Sequence, residues 1–283
     1  MKKKSKVIAI AAPTATGKTK LAIELAKKID GEIVSADSRL VYKGFEIAVA
    51  KPTMEEREGI PHYLIDVVEP EIDYSVANYA DDATKAIEEI LKKDKTPIIV
   101  GGTGLYFRIL LEGYDLPRVE PNYELRNELA KKSIEELMDM LKILDEKTYQ
   151  NMSANPQSRK IIRAIEVCKA LDKPLSEMSL QKEIPYEVEW IGINMSREEI
   201  YERINSRVDK MVELGILDET KYLLKKHGRI PNFEKTIGYN ELLQYLDGKI
   251  SFEDSIELIK QHSRNYAKRQ LTWFRRNKNL GIV

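Results

Sequence analysis

The chain has 283 residues, which at about 150 residues per domain corresponds to roughly two domains or one elaborated domain. Its 46 basic and 46 acidic residues cancel, so only the local distribution of charge bears on a polyanionic partner. With 42% hydrophobic and 33% charged residues, the composition is that of a soluble globular protein. The single cysteine, Cys168, excludes a disulfide framework and a cysteine-rich zinc module. Three scattered histidines, His62, His227 and His262, argue against a histidine metal cluster. No apolar run approaches the roughly 18 residues of a membrane span. The basic start leads into an apolar run, Val7 to Ala12, that is too short for a signal peptide, so a cytosolic location is expected.

Val7 to Ala11 is a short, continuous apolar run and suits a strand buried on both faces. Lys18 to Ile29 has helical spacing, with Leu21, Leu25 and Ile29 on one face and Gly31 expected just past its end. Glu32 to Ala36 reads as the second strand, Tyr63 to Val68 as a third, Ala80 to Lys92 as an amphipathic helix and Thr96 to Val100 as another buried strand. Strand and helix alternate, which predicts an α/β fold: a parallel sheet core with helices on both faces, of the P-loop NTPase type. From about Leu116 to Pro185 only helical segments are expected. Val188 to Asn194 then returns to strand, followed by charged helices over Arg197 to Leu214, Asp218 to Lys226, Tyr239 to Leu246 and Ser251 to about Arg276. The expected organisation is a core of residues 1–115 and 186–283 carrying C-terminal helices, interrupted by a helical insertion domain of residues 116–185.

Between the first strand and the first helix lies Ala12-Pro13-Thr14-Ala15-Thr16-Gly17-Lys18-Thr19. This strand–loop–helix setting is that of a P-loop, in which backbone N–H groups and a helix N-terminus hold anionic oxygens. Lys18 adds a mobile positive charge, and the Thr19 hydroxyl can ligate Mg²⁺. The bland alternative is a chance Gly-Lys-Thr at a helix start. Ala12 stands where the pattern has glycine, which restricts φ if that position is left-handed. By itself the loop implies binding of a di- or triphosphate and no more.

Ligands of open α/β sheets bind beyond the carboxyl ends of the strands. Asp37-Ser38 follows the second strand, and Gly101-Gly102-Thr103-Gly104 follows the strand ending at Val100, so both should face the phosphate loop. Asp37 suits a general base, a Mg²⁺ ligand or a helix cap. The glycines around Thr103 suit either close approach to a ligand or a tight turn. From His262 onward there are six basic residues (Arg264, Lys268, Arg269, Arg275, Arg276, Lys278) and no acidic one. Asn151 to Arg163 is also free of acids and carries Arg159, Lys160 and Arg163. Each patch fits a polyanion-binding surface or a solvated helix face. Tyr266 and Trp273, seven apart in the C-terminal helix, read as core.

These residues resemble the tRNA dimethylallyltransferases, the isopentenyltransferases that modify adenosine 37 beside the anticodon. The resemblance begins with residues 12–19 and with Ser35-Ala36-Asp37-Ser38-Arg39-Leu40-Val41-Tyr42. It continues through Ala50-Lys51-Pro52-Thr53, residues 59–66, Gly101 to Tyr106, Arg163 to Val167, Ile237-Gly238-Tyr239 and Tyr266 to Arg275, in the family's order over nearly the whole chain. The resemblance implies transfer of a dimethylallyl group from dimethylallyl diphosphate to N6 of the adenosine, with diphosphate released. It implies that residues 12–19 hold the diphosphate, with Lys18 and Mg²⁺ on Thr19 stabilising the leaving group. It makes Asp37 the base, puts Thr103 and Arg126 near the tRNA and gives Arg207 a part in binding diphosphate. Asp37-Ser38-Arg39-Leu40 and Arg159-Lys160-Ile161-Ile162-Arg163 are implied RNA contacts, with the insert gripping the anticodon stem. The expected partners are tRNA and the allylic donor, with no membrane, and the expected working form is a monomer. The rival readings are an ATP-dependent P-loop kinase of small molecules, an RNA-binding protein with a vestigial loop, and a prenyltransferase acting on free AMP or ADP. The prenyl pocket is not assignable from the sequence.

Overall fold

The computed structural model describes residues 4–178, 180–277 and 280–282, and Lys278 of the basic C-terminal segment lies outside them. Six parallel strands form one sheet in the order β3-β2-β4-β1-β5-β6. They are β1 (Ser5–Ala11), β2 (Gly31–Ala36), β3 (His62–Tyr63), β4 (Thr96–Gly101), β5 (Tyr186–Gly192) and β6 (Gly281–Ile282). The helices are α1 (Lys18–Ile29), α2 (Val76–Lys92), α3 (Gly104–Leu111), α4 (Tyr123–Leu129), α5 (Ile134–Leu144), α6 (Glu146–Ser153), α7 (Ser158–Leu171), α8 (Arg197–Glu213), α9 (Ile216–His227), α10 (Pro231–Glu234), α11 (Tyr239–Leu246) and α12 (Phe252–Phe274). The chain divides into two compact units, one of residues 1–112 and 184–283, the other of residues 113–183.

Alternation along the strands sorts the core of the first unit into two layers. Val7, Ala9, Ala11, Val34, Ala36 and Ile99 pack on one face with Tyr79, Ile87 and Ile90 of α2 and Phe107 and Leu110 of α3. Ile8, Ile10, Ile33, Ile98 and Val100 face the other way, onto Ala22, Ile23 and Ala26 of α1. The strands are therefore apolar on both sides, and helices cover both faces. Register places Ala11 of β1 beside Gly101 of β4, and Gly101 beside Ala36 of β2. Three chain segments thus leave the sheet side by side at its carboxyl edge.

Three local expectations are corrected. The strand expected over Tyr63 to Val68 stops at Tyr63, because Leu64 and Asp66 take positive φ of 61° and 57° and turn the chain off the sheet edge. Asp30, at φ 49°, is the left-handed residue that ends α1, while Gly31 opens β2. A Cβ at Gly31 would lie 2.8 Å from Ile98 Cδ1, so that glycine serves close strand approach. The helix α2 begins at Val76, four positions before the expected start at Ala80, because Ser75 and Asn78 form a reciprocal capping box.

The second unit is helical. Its core joins Leu129, Leu137, Leu141, Ile161, Ala164 and Ile165 from α4, α5 and α7. Among the described residues, no helix is long and apolar enough to cross a membrane.

Candidate active site

The phosphate loop leaves β1 and enters α1 through two left-handed residues, Ala15 at φ 65° and Gly17 at φ 84°. Ala12 is not among the residues of positive φ, so its Cβ costs the loop nothing there. The Thr16 hydroxyl donates to the Pro13 carbonyl at 2.9 Å, and Lys18 Nζ donates to the same oxygen at 3.3 Å. The loop is thereby closed with its lysine folded over it. Burial pushes the Lys18 ammonium down to about 8; Asp37 opposes that shift and Arg207 adds to it. Arg207 reaches in from α8, where its Nη1 donates to the Thr14 hydroxyl at 3.3 Å. Burial lowers its pKa too, against the attraction of Glu56 and Asp37.

Asp37 follows β2 in a turn, and its Oδ1 accepts the Arg39 N–H at 2.8 Å. That bond orients the carboxylate and leaves Oδ2 for another partner. The Ser38 N–H donates to the Thr103 hydroxyl at 3.1 Å, and the Thr103 N–H to the Ala36 carbonyl at 3.1 Å. Burial and the Asp37 charge push Tyr266 up to about 12. Tyr266, expected in the core, stands instead in the wall of the site. Nη1 of Arg39 is buried with no hydrogen-bond partner, and its guanidinium lies 5.8 Å from the Tyr42 ring.

The glycines flanking Thr103 do not open the backbone to a ligand. Added Cβ atoms would overlap the Ala36 carbonyl at Gly101, the Gln270 amide at Gly102 and the Trp273 ring at Gly104. The space they free is occupied by the protein itself, which places Thr103 firmly.

A cavity of about 280 Å³ lies among Thr14, Asp37, Arg207 and Tyr266. Thr14 and Arg207 line it on one side and Asp37, Ser38, Arg39 and Tyr266 on another. Its remaining wall is mainly apolar, with Ala48, Val49, Ile204, Val208, Met211, Ile237 and Ile259. Sequence reasoning missed this wall. Ile204, Val208 and Met211 recur along α8 at spacings of four and three, a pattern that core residues share.

A cation fits here only in company. The Thr19 hydroxyl has no side-chain partner and is a hard oxygen donor of the kind Mg²⁺ takes. Among the described residues no three His, Cys, Asp or Glu side chains form a metal-holding group. A Mg²⁺ ion would therefore complete its shell from diphosphate oxygens and water.

The remaining expected RNA contacts belong to the helical unit. Arg159 and Lys160 are exposed at the start of α7. Ile161 is fully buried in that unit's core and the partly buried Ile162 packs against it. Arg126 Nε and Nη2 each donate to Glu166 at 2.8 Å, and Arg163 donates to the same carboxylate. Glu166, 1% exposed, is held well ionised against its burial by these two arginines and the Asn122 N–H. Lys268 and Arg269 of the C-terminal helix and Arg275 and Arg276 just past it are exposed, whereas Arg264 donates to Asn205 at 2.6 Å.

Thr14 of the phosphate-type loop, the Asp37 carboxylate and an apolar recess meet around one cavity, the arrangement of a group-transfer enzyme. Residues 40–277 match the model of the IPP transferase family, and the chain belongs to that family. It is 41% identical to a tRNA dimethylallyltransferase of Halalkalibacterium halodurans, over 98% of this chain and 90% of that one. It is 44% identical to a tRNA dimethylallyltransferase of Carboxydothermus hydrogenoformans, over 97% and 90%. A eukaryotic dimethylallyltransferase solved acting on tRNA superposes with a TM-score of 0.84 at 28% identity, over 99% of this chain and 73% of that one.

Proposed function

We propose that this chain transfers a dimethylallyl group from dimethylallyl diphosphate to N6 of adenosine 37 in the anticodon loop of tRNA, with release of diphosphate. The observation that carries the proposal is the single cavity in which Thr14 and Arg207 of the phosphate side, the Asp37 carboxylate and an apolar wall meet. The apolar wall suits a short branched hydrocarbon and offers little to the ribose of a nucleoside triphosphate, so a kinase reading gains nothing from it.

In this reading the phosphate loop binds the diphosphate through its amides and the N-terminus of α1. Lys18, with a pKa near 8, is largely charged at neutral pH and opposes the negative charge that develops on the leaving oxygen as the C–O bond breaks. Arg207, anchored on Thr14, adds a second positive charge on the same side. Thr19 would help hold a Mg²⁺ ion, which would supply further charge neutralisation on the diphosphate. The exocyclic amine is a weak nucleophile whose N–H becomes acidic as the new C–N bond forms. Asp37, oriented by the Arg39 amide, takes that proton on its unengaged oxygen. Thr103, fixed by Ser38 and Ala36, holds the base beside Asp37. Arg39, whose side chain helps line the cavity, gives the RNA a positive charge there. The exposed Arg159 and Lys160, with the exposed cations of α12, meet the phosphate backbone, while adenosine 37 leaves its stack to enter the cavity. In this reading the working form is a monomer acting in the cytosol.

The test is transfer of label from radiolabelled dimethylallyl diphosphate to unmodified tRNA, with Mg²⁺ and without ATP. Label in the tRNA is expected. Absence of label, or transfer only to free AMP or ADP, refutes the proposal.

A further inference from the structure

The helix α12 sends into the site one side chain that no motif chemistry singles out. Gln270 is 5% exposed. Its Oε1 accepts the Thr14 N–H at 2.9 Å, and its Nε2 donates to the Gly102 carbonyl at 2.9 Å. One planar amide therefore spans the phosphate loop and the loop that follows β4. The loop after β4 carries Thr103, whose hydroxyl accepts the N–H of Ser38, next to Asp37. The fit is tight, since a Cβ at Gly102 would overlap the Gln270 amide.

We propose that Gln270 is a positioning residue for the transfer reaction. Its amide locks the diphosphate-holding loop to the loop that carries Thr103 and, through Thr103, to the Asp37 turn. The inference rests on the reaction proposed above and adds to it the element that sets the donor's reacting carbon against the attacking nitrogen. Bond making and breaking at one carbon tolerate little error, and a misplacement of about 1 Å costs about 10²-fold in rate. The choice of side chain follows from hydrogen-bond accounting. One backbone donor and one backbone acceptor face each other across the gap, and a carboxamide presents one acceptor and one donor in a plane. Leucine satisfies neither group. A glutamate carboxylate accepts from Thr14 but sets a second oxygen against the Gly102 carbonyl. A protonated glutamic acid restores both bonds, because its C=O accepts and its O–H donates.

That chemistry supplies the experiment. Single-turnover rates, together with Kd values for the donor and for an anticodon stem-loop RNA, are measured for wild type, Gln270→Leu and Gln270→Glu across pH. Gln270→Leu is expected to lower the single-turnover rate about 10²-fold with both Kd values within about threefold of wild type. Gln270→Glu is expected to be slow in mild alkali and to recover relative to wild type as the pH falls. The ratio of Gln270→Leu to wild type is expected to stay flat with pH. An unchanged rate in Gln270→Leu, a loss explained wholly by weaker binding, or a flat Gln270→Glu ratio overturns the positioning role. If wild type transfers no label, the reaction itself is refuted, and hydrogen exchange of the full chain then decides the lock separately. Faster exchange in segments 12–16 and 101–104 together in Gln270→Leu, with the central strands unchanged, supports it; unchanged exchange there overturns it.

Discussion

Raising the pH above neutrality is expected to weaken donor binding through Lys18. Burial holds its ammonium near 8 in the free protein, with Asp37 and Arg207 pulling in opposite directions. About nine-tenths of the lysines are then charged at pH 7 and about one-tenth at pH 9. Diphosphate binds the charged form, so above pH 8 its Kd should rise about tenfold per pH unit, about 1.4 kcal/mol for each. Binding near pH 8 should take up about half a proton, because half of the lysines are neutral beforehand. The assay is titration calorimetry with a non-transferable analogue of the donor, without tRNA, in buffers of different ionisation enthalpy. Lys18→Arg should bind with little pH dependence, because guanidinium stays charged, and Lys18→Met should bind weakly at every pH. The free protein should respond in the opposite sense. With the lysine depressed from 10.5 to about 8 on folding, the unfolded chain binds more protons between those values, so stability should rise with pH across that window. A wild-type Kd that stays flat from pH 7 to about 9.5, or a Lys18→Met variant that keeps the wild-type dependence, would refute this account of Lys18.

Met211→Trp fills the apolar end of a cavity of about 280 Å³ and should lower kcat/KM for dimethylallyl diphosphate by about 10²-fold. The Kd for tRNA, measured by filter binding, should not change. Glu166→Ala strips the buried acceptor from Arg126, Arg163 and the Asn122 N–H. Since both arginines are about one-third exposed, it should destabilise the helical unit by about 2 kcal/mol, seen as a lower urea midpoint, with donor affinity unaltered.

The parts of the fold legible in the sequence are those set by short-range signals. The apolar run of β1, the loop of residues 12–19 and the periodicity of α1 each declare themselves within a few residues, and α1 spans the expected Lys18 to Ile29. The third strand ends earlier than its apolar residues suggest, because the backbone turns at Leu64 and Asp66, and a positive φ at a leucine has no signal in the sequence. The Asp37 turn and Thr103 were legible because strand ends point at the phosphate loop in a parallel sheet. The apolar wall was not, since Ile204, Val208 and Met211 carry the same spacing whether they line a core or a cavity. Gln270 was hidden for a related reason. Its significance lies in contacts with Thr14 and Gly102, more than 160 residues away in sequence, and no local pattern records those contacts.

The most direct test of the proposed chemistry compares wild type with Asp37→Ala in transfer of label from dimethylallyl diphosphate to unmodified tRNA, with Mg²⁺ and no ATP. Wild type should label the tRNA, and the variant should lose about 10²-fold or more in rate while still binding both substrates. Full activity in the variant would remove Asp37 as the base, and absence of label with wild type would contradict the transferase itself.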